Sequence, residues 1–304
     1  MGALDLVRLS PLMERSQGAP DLTVALVDGP VALNHPDLAG ASIREFSAGM
    51  PSAGLKATCS LPQSVACAHG TLVAGVLSAR RGSAAPSIAP GCTLLLRPIF
   101  AEVANGNSLM PSATPEELAE AIIDCVRAGA RVINLSSALV RPSPTGETKL
   151  EEALNYAARR GVITVAAAGN QGAVGSSVIT RHPWVIPVAA CDAQGRPIRE
   201  SNLGSSIGRH GLSAPGENVT SLGTDGKPQT FGGTSAAAPF VTGAIALLWS
   251  EFPGATPAQI KLAVTQGGMP RRGTITPPVL DAWAAYQAIA SAPGAARRGN
   301  YMTA

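Results

Sequence analysis

The sequence has few cysteines, and none of them form the closely spaced pairs that bind structural zinc. Its 304 residues include five cysteines and no CxxC pair, which argues against a zinc site. Cys92, Cys125 and Cys191 lie in or beside apolar segments, and we interpret them as small core residues. Cys59 and Cys67 flank a loop; they either pair or remain thiols, and the sequence leaves both alternatives open.

The sequence also lacks long apolar runs and clustered positive charge. Its first twenty residues contain no continuous apolar core of a secretion signal, and no run approaches the length of a membrane span. The net charge is +3, and the basic residues are scattered or occur in short pairs such as Arg80-Arg81. This distribution argues against nucleic-acid binding. We therefore expect a cytoplasmic protein that binds neither membranes nor nucleic acids.

Apolar residues are abundant, and they form alternating strand-like and helix-like segments. Hydrophobic residues make up 45% of the chain, which is enough to build a sizeable core. Continuous apolar runs predict buried strands at residues 23–28, 93–99, 131–135, 162–168 and 184–190. Helices are predicted to start at Thr114-Pro115 and Thr256-Pro257, and a further helix to run from Thr148 to Arg160. This alternation predicts a parallel α/β sheet.

The same pattern predicts one domain. No internal repeat or linker interrupts residues 21–290, so we interpret that segment as a single domain. Residues 1–20 are interpreted as an N-terminal extension, and residues 291–304 as a disordered tail.

Four polar residues stand where apolar strands end or apolar helices begin. Asp28 and Asn170 follow strands, His69 opens an apolar helix, and Ser235 follows glycines at the start of another helix. In a parallel sheet, active sites lie at the carboxyl ends of the strands. A serine nucleophile needs a base such as His69, and the imidazole needs an acid such as Asp28 to fix its tautomer. The helix N–H groups and the Asn170 amide can stabilise an oxyanion.

Each of these residues has a simpler structural explanation when it is taken alone. An aspartate after a strand is more often a turn former, and a histidine or a Gly-Thr-Ser sequence at a helix start is more often a cap. The four residue types together are the set that acyl transfer requires. We therefore expect Asp28, His69 and Ser235 to be catalytic and Asn170 to be an oxyanion donor.

The segments that carry these residues resemble the subtilisin-type serine proteases. The resemblance covers residues 22–249 and includes VALVDG, HPDL, HGTLVAG, VINLS, VAAAGN, LSAPGENV and GTSAAAP. This family carries its triad in the order Asp, His, Ser. The resemblance implies a subtilisin-like three-layer α/β fold, with a mainly parallel central sheet flanked by helices, and a peptidase domain over residues 21–290. It also implies serine endopeptidase activity on a peptide substrate without a cofactor.

Two short segments are expected to bind substrate by the same resemblance. One is the edge strand along which a peptide would lie: Ser136, Ser137 and Ala138. The other faces that strand across the primary specificity pocket: Ala167, Ala168 and Gly169. The broader family has glycines in the edge segment, so Ala138 is expected to narrow the cleft, and the selectivity of the pocket stays open.

The turn after Asp28 favours one branch of the family. Most relatives have a hydroxyl residue after the catalytic acid, whereas this chain has Gly29-Pro30. The DGPV, AAAGN and APGEN segments resemble the proteases that mature cyanobactin-type ribosomal peptides, which implies cleavage of a precursor peptide. The alternatives are a macrocyclase of the same family, a general intracellular subtilase and a non-catalytic peptide-binding scaffold. The segment between Asp28 and His69 contains no helix pair of the macrocyclase type, which favours hydrolysis.

A calcium site of the secreted relatives is not expected in this chain. In those relatives, the acid of HPDL, here Asp37, binds Ca²⁺ together with a loop that follows the catalytic-histidine helix. The corresponding residues 80–86 offer no carboxylate and include two arginines. We interpret Asp37 as the remnant of a metal site, and His35 as a structural residue in a surface turn. The short segment before the first strand is also too small for a folding prodomain.

Overall fold

The computed structural model of the protein describes residues 2–46, 55–103, 113–136, 144–267, 274–292 and 297–298. At residues 144–146 it describes the backbone but not the side chains. Ser137 and Ala138 of the predicted substrate strand lie outside the described residues, as does most of the predicted tail. None of the described helices is both long enough and apolar enough to span a bilayer.

A seven-stranded parallel sheet organises the fold, with the spatial order β2-β3-β1-β4-β5-β6-β7. Its strands are β1 (Thr23–Asp28), β2 (Ile43–Glu45), β3 (Thr93–Pro98), β4 (Val132–Leu135), β5 (Ile163–Ala167), β6 (Ile186–Cys191) and β7 (Leu212–Pro215). A separate antiparallel hairpin consists of β8 (Val219–Leu222) and β9 (Pro228–Phe231). Strand β1 is an interior strand, so its carboxyl end lies between the carboxyl ends of β3 and β4.

Helices cover both faces of this sheet. They are α1 (Ala3–Leu6), α2 (Ser10–Arg15), α3 (Val65–Ser78), α4 (Pro115–Arg127), α5 (Pro144–Arg159), α6 (Val178–Arg181), α7 (Ser205–His210), α8 (Thr234–Glu251), α9 (Pro257–Gln266) and α10 (Ala282–Ala290). Capping boxes at Thr114 and Thr256 begin α4 and α9, as the sequence predicts.

Successive residues of β1 face two different hydrophobic cores. Val24 and Leu26 belong to the core that includes α3 and α8, whereas Ala25 and Val27 belong to the core that includes α4 and α5. The strands therefore have covered faces on both sides, which explains why they are unbroken apolar runs in the sequence. The predicted three-layer α/β fold with a mainly parallel sheet is confirmed.

The elements that the sequence predicts are present and differ from the observed ones mainly at their ends, whereas β2, β7, the β8–β9 hairpin and helices α1, α2, α6, α7 and α10 were not predicted. The five predicted strands match observed strands to within about two residues at each end. Helix α5 begins at Pro144 rather than at Thr148. Helix α3 begins at Val65, so His69 lies in its second turn. The prediction that His69 opens this helix is therefore wrong. The earlier start was missed because the first turn is apolar and the Ser64 side chain makes no capping hydrogen bond.

Residues of the predicted N-terminal extension pack into the same core as α8 and α10. Leu9 and Leu12 are fully buried. Arg8 forms an ion pair with Asp281 at 2.9 Å, and the Ala282 N–H donates to the Val7 carbonyl. The segment before β1 is therefore attached to the body of the fold by both apolar and polar contacts.

The structure resolves the alternatives that the sequence left open for the cysteines. Cys59 and Cys67 form a disulfide with their Cα atoms 5.6 Å apart. Cys92, Cys125 and Cys191 are buried, as predicted. Burial raises the pKa of Cys125 to about 12, so this thiol stays protonated and is not a nucleophile.

His35 differs from its predicted surface position. It is buried, and its Nδ1 accepts a hydrogen bond of 3.0 Å from the Asp37 N–H at the start of a short 3-10 helix, Pro36–Leu38. His35 is structural, as interpreted from the sequence, but its turn packs against the core because Leu38 is buried beside it.

Candidate active site

Asp28 lies at the carboxyl end of β1 and is completely buried. Its Oδ1 accepts a 2.6 Å hydrogen bond from the Gly29 N–H and lies 2.6 Å from His69 Nδ1. Its Oδ2 is buried and has no hydrogen-bond partner among the described residues. A Cβ built on Gly29 would collide with the Ala66 carbonyl oxygen, so a residue with a side chain cannot fit against α3 at this position.

His69 is held above Asp28 by the close packing of α3 on the turn that follows β1. A Cβ on Gly70 would collide with the carbonyls of Gly29 and Pro30, so only glycine permits this approach. Thr71 then joins the two segments, because its Oγ1 donates to the Cys67 carbonyl at 2.7 Å and accepts from the Ala32 N–H at 2.9 Å. In the His-Gly-Thr sequence, His69 is thus the candidate base, and Gly70 and Thr71 position it.

The charge of Asp28 changes the acid–base behaviour of His69. Burial by itself lowers the pKa of the imidazole, but the negative charge of Asp28 and its hydrogen bond outweigh burial, and the pKa of His69 is raised. With Asp28 on Nδ1, the Nε2 atom of the neutral ring is the acceptor. The arrangement is that of a base whose tautomer is fixed by a buried acid.

Ser235 is the second residue of α8, and a glycine turn delivers it there. Gly233 caps the helix with a φ of +90°, a conformation that a residue with a side chain rarely adopts. The Ser235 hydroxyl donates to the Ser136 carbonyl at 2.9 Å, and no hydrogen bond joins it to His69 among the described residues. The expected serine–histidine contact is therefore not formed in this structure; a rotation about the Cα–Cβ bond of the serine is the motion that would free the hydroxyl.

Asn170 follows β5 and is oriented by the first residue of α8. Its Oδ1 accepts hydrogen bonds from the Thr234 N–H at 2.8 Å and from the Thr234 hydroxyl at 3.0 Å. Because a backbone N–H can only donate, the amide oxygen must face Thr234, and the NH₂ group is left as a donor. The Ser235 N–H makes no hydrogen bond among the described residues. The Asn170 NH₂ group and the Ser235 N–H are therefore both available as donors at the start of α8.

Two cavities are lined by residues at or just after the carboxyl end of β5. One, of about 500 Å³, is lined by Ala167 and Ala168 of the predicted specificity pocket, together with Asn202. The other, of about 510 Å³, is lined by Asn170 itself, Gly233 and Phe231 among others. These cavities offer space for the side chains of a peptide.

The sequence pointed to Asp28, His69, Asn170 and Ser235 but not to the residues that hold hydrogen bonds around them. In the sequence, Thr234 is only part of a helix start. In the structure its hydroxyl donates to Asn170 and its Oγ1 accepts a hydrogen bond from the Gly169 N–H at 3.1 Å. Ser136 is buried, and a chain of side-chain hydrogen bonds links it through Asn134 to Thr242 of α8. The polar Asn134 within the apolar run VINL was the available signal for this network.

One group of possible metal ligands occurs among the described residues: Cys59, Cys67 and Glu102. The two sulfurs are already bonded to each other. Partial burial raises the pKa of the Glu102 carboxyl, but hydrogen bonds from the Ser60 hydroxyl and from the N–H groups of Leu61 and Ser60 outweigh it, and the pKa is lowered. These residues do not fit a metal ion.

Comparison with known proteins decides the family. A model described as the subtilase family matches residues 20–267. The chain belongs to the subtilase family. The thermostable alkaline protease of Halalkalibacterium halodurans is 32% identical to this subtilase over 244 residues, which cover 80% of the chain and 61% of that protein. The chain thus spans about three fifths of the length of this curated relative.

Solved structures place this subtilase beside peptide maturation proteases. A mutant of the protease domain of PatA is 31% identical, with a TM-score of 0.77 and coverage of 89% of this chain and 95% of that chain. The prenylagaramide maturation protease PagA is 28% identical, with a TM-score of 0.79 and coverage of 92% and 97%. The predicted resemblance to subtilases of the cyanobactin maturation type is confirmed.

Proposed function

We propose that this subtilase is a serine endopeptidase that uses Asp28, His69 and Ser235 as its triad. The observation that carries the proposal is the buried Asp28–His69 pair, joined at 2.6 Å, at the same sheet edge as Ser235 and the free amide of Asn170. A buried acid on one imidazole nitrogen is what a base facing a serine requires.

The reaction begins when the Ser235 hydroxyl turns from the Ser136 carbonyl and gives its proton to His69 Nε2. Its oxygen attacks the carbonyl carbon of the peptide, and the oxyanion accepts hydrogen bonds from the Asn170 NH₂ group and the Ser235 N–H. His69 then protonates the leaving amine, and an acyl-enzyme remains. A water molecule, deprotonated by His69, releases the acyl group and restores the serine.

The proposed substrate is a ribosomal precursor peptide. PatA and PagA belong to systems that mature patellamide and prenylagaramide, and both cover nearly the whole length of this fold. The Gly29 turn that the chain shares with the predicted maturation branch is required by its packing on Ala66, which supports a common arrangement of the acid. Removal of a leader segment is the reaction that we propose.

Hydrolysis is favoured over macrocyclisation by the segment between the acid and the base. In the described residues between Asp28 and His69, the elements before α3 are a short 3-10 helix and the three-residue strand β2. These elements do not form a helical cap that would shield an acyl-enzyme from water. A general subtilase without precursor specificity is the second candidate, because the cavities beside Asn170 are lined mostly by small or neutral residues.

Mass spectrometry of a digested peptide library separates these candidates. We expect linear products whose new termini cluster at one sequence motif, because a maturation protease must leave the rest of its precursor intact. A cyclic product, one water lighter than the linear fragment, would favour the macrocyclase. Cleavage at many unrelated sites would favour the general protease. The Ser235→Ala chain, incubated with the same library, controls for contaminating proteases.

The location of this activity stays a prediction. Disulfides persist mainly in oxidising compartments, so the Cys59–Cys67 bond argues against the cytoplasmic location that the sequence suggested. Thiol labelling of the protein purified from its native cells, with and without a reductant, would measure whether this bond is formed there.

Replacing Asn170 with alanine is expected to lower kcat by about 10²–10³-fold, the loss found when one such donor is removed from subtilisin. Asn170→Asp is the matched variant, because a carboxylate still accepts from Thr234 but cannot donate to an oxyanion. We expect Asn170→Asp to unfold at nearly the same temperature as the unchanged protein and to lose as much activity as Asn170→Ala. Activity near that of the unchanged protein in Asn170→Asp would contradict the proposed role of the amide.

A further inference from the structure

The loop after α3 contains a guanidinium group surrounded by carbonyl oxygens. Arg81 donates from Nε to the Ser87 carbonyl at 2.7 Å and from Nη2 to the Ile88 carbonyl at 2.7 Å. It also donates from Nη1 to the Met13 carbonyl at 2.8 Å and from Nη2 to the Ser16 carbonyl at 3.0 Å. One side chain therefore joins the loop to the end of α2.

The adjacent residue, Arg80, forms an ion pair with Asp37, the acid that the resemblance assigns to a calcium site. Arg80 Nη2 lies 2.9 Å from Asp37 Oδ1, and the Arg80 N–H donates to the Asp37 carbonyl at 2.7 Å. Asp37, interpreted from the sequence as the remnant of a metal site, is thus the ion-pair partner of an arginine of the same chain. Its ion pair is exposed on the arginine side and adds little stability by itself.

The residues around Arg81 do not fit a calcium ion. Ca²⁺ takes six to eight oxygen ligands, usually with carboxylates, at about 2.3–2.6 Å. The four carbonyls here lie at hydrogen-bond distances from a group that is itself positive, and residues 80–86 contain no carboxylate. A divalent cation would be repelled from the place that the guanidinium fills.

We infer that Arg81 is a built-in cation that replaces the structural metal of the secreted relatives and ties the N-terminal segment to the end of the catalytic-histidine helix. Several converging carbonyl dipoles favour a positive charge, whether it is a metal ion or a guanidinium. Arginine suits the position, because its fork of donors reaches all four oxygens at once.

The charge of Arg81 persists in spite of its half-buried position. Burial lowers the pKa of Arg81, but an arginine pKa starts so high that the group stays protonated. No carboxylate forms an ion pair with it among the described residues, so the carbonyls alone balance its charge. Removal of the side chain would leave these carbonyls without their donors, which is costly where they are buried.

The contact also reaches the helix that carries the base. The Ile88 and Ala89 N–H groups donate to the carbonyls of Val76 and Leu77 in the last turns of α3. Arg81 holds the Ile88 carbonyl from the other side. The guanidinium therefore braces the C-terminal end of α3 against α2, at the opposite end of the helix from His69.

Thermal unfolding with and without calcium tests this inference. It is measured in a Ser235→Ala background, so that self-cleavage does not affect the result. Arg81→Met is expected to lower Tm by about 5–10 °C, because it removes several charge-assisted hydrogen bonds from a large domain. Arg80→Met is the matched control, since Arg80 is mostly exposed and forms one ion pair, and its Tm should change by about 2 °C or less.

Arg81→Lys and a calcium titration keep the inference testable if Arg81→Met does not fold. A lysine retains the charge but cannot span four carbonyls, so an intermediate Tm is expected, together with earlier cleavage of the N-terminal segment by added trypsin. The chain with Arg81 intact should show the same Tm in calcium chloride and in chelator. Equal losses in Arg80→Met and Arg81→Met would overturn the inference, and so would a calcium-dependent rise in the Tm of the chain with Arg81 intact.

Discussion

Ser235→Ala is expected to abolish peptide cleavage while the protein stays folded. The substitution removes one oxygen atom and a single hydrogen bond, from the hydroxyl to the Ser136 carbonyl. The helix start itself depends on Gly233 and on the bonds between Thr234 and Asn170, which the alanine leaves in place. We expect kcat to fall by about 10⁶-fold, the loss that removal of the nucleophile causes in subtilisin.

The measurement is turnover of a peptide that the unchanged protein cleaves, together with the thermal unfolding of both proteins. Ser291→Ala is the control, because Ser291 lies after α10 and its hydroxyl, among the described residues, bonds to the last turn of that helix. A fluorophosphonate probe gives an independent readout and should label the unchanged protein but not Ser235→Ala. Unchanged turnover in Ser235→Ala would refute the triad, and failure of the probe to label the unchanged protein would favour a non-catalytic scaffold.

Asp28→Asn is expected to lower kcat by about 10⁴-fold with little change in the fold. The asparagine oxygen can still accept from the Gly29 N–H, so the turn keeps its hydrogen bond. The amide carries no charge to stabilise the imidazolium of His69, and it does not enforce the tautomer with Nε2 as acceptor. Asp192→Asn is the control for loss of an acid elsewhere, because Asp192 pairs with Arg196 on the surface.

The pH profile of Asp28→Asn separates this role from a structural one. Activity requires neutral His69 and falls as the pH drops through the pKa of this group. In the unchanged protein that pKa is raised, because Asp28 outweighs burial, so the acidic limb should lie above the ordinary histidine pKa of about 6.5. Without Asp28 only burial remains, and the limb should move to lower pH. A limb at the same pH in both proteins would contradict the coupling.

The sequence alone predicted the fold class, which the structure confirms, and it supplied the candidates for the reactive residues. Strands that are buried on both faces must be continuous apolar runs, so β1, β3, β4, β5 and β6 were visible at nearly their full length. The two edge strands β2 and β7 were not predicted: β2 is only partly buried and three residues long, and β7 is four residues long and contains Ser213 and Pro215. Asp28, Asn170 and Ser235 were recognised because a polar residue that ends an apolar strand or starts an apolar helix breaks the local pattern.

What only the tertiary structure decided are contacts between segments that are distant in the chain. The close approach of Gly29 to Ala66, which leaves no room for a side chain, the Cys59–Cys67 bond and the hydrogen bond from the Ser235 hydroxyl to Ser136 all depend on how α3, α8 and the strand ends pack together. Arg81 is the clearest case. In the sequence it is half of an ordinary basic pair, and only folding brings the carbonyls of α2 within reach of its guanidinium. Local sequence patterns show where strands and helices end and which polar residues lie there. A hydrogen bond between segments that are remote in the chain forms only when the chain has folded, so no local pattern predicts it.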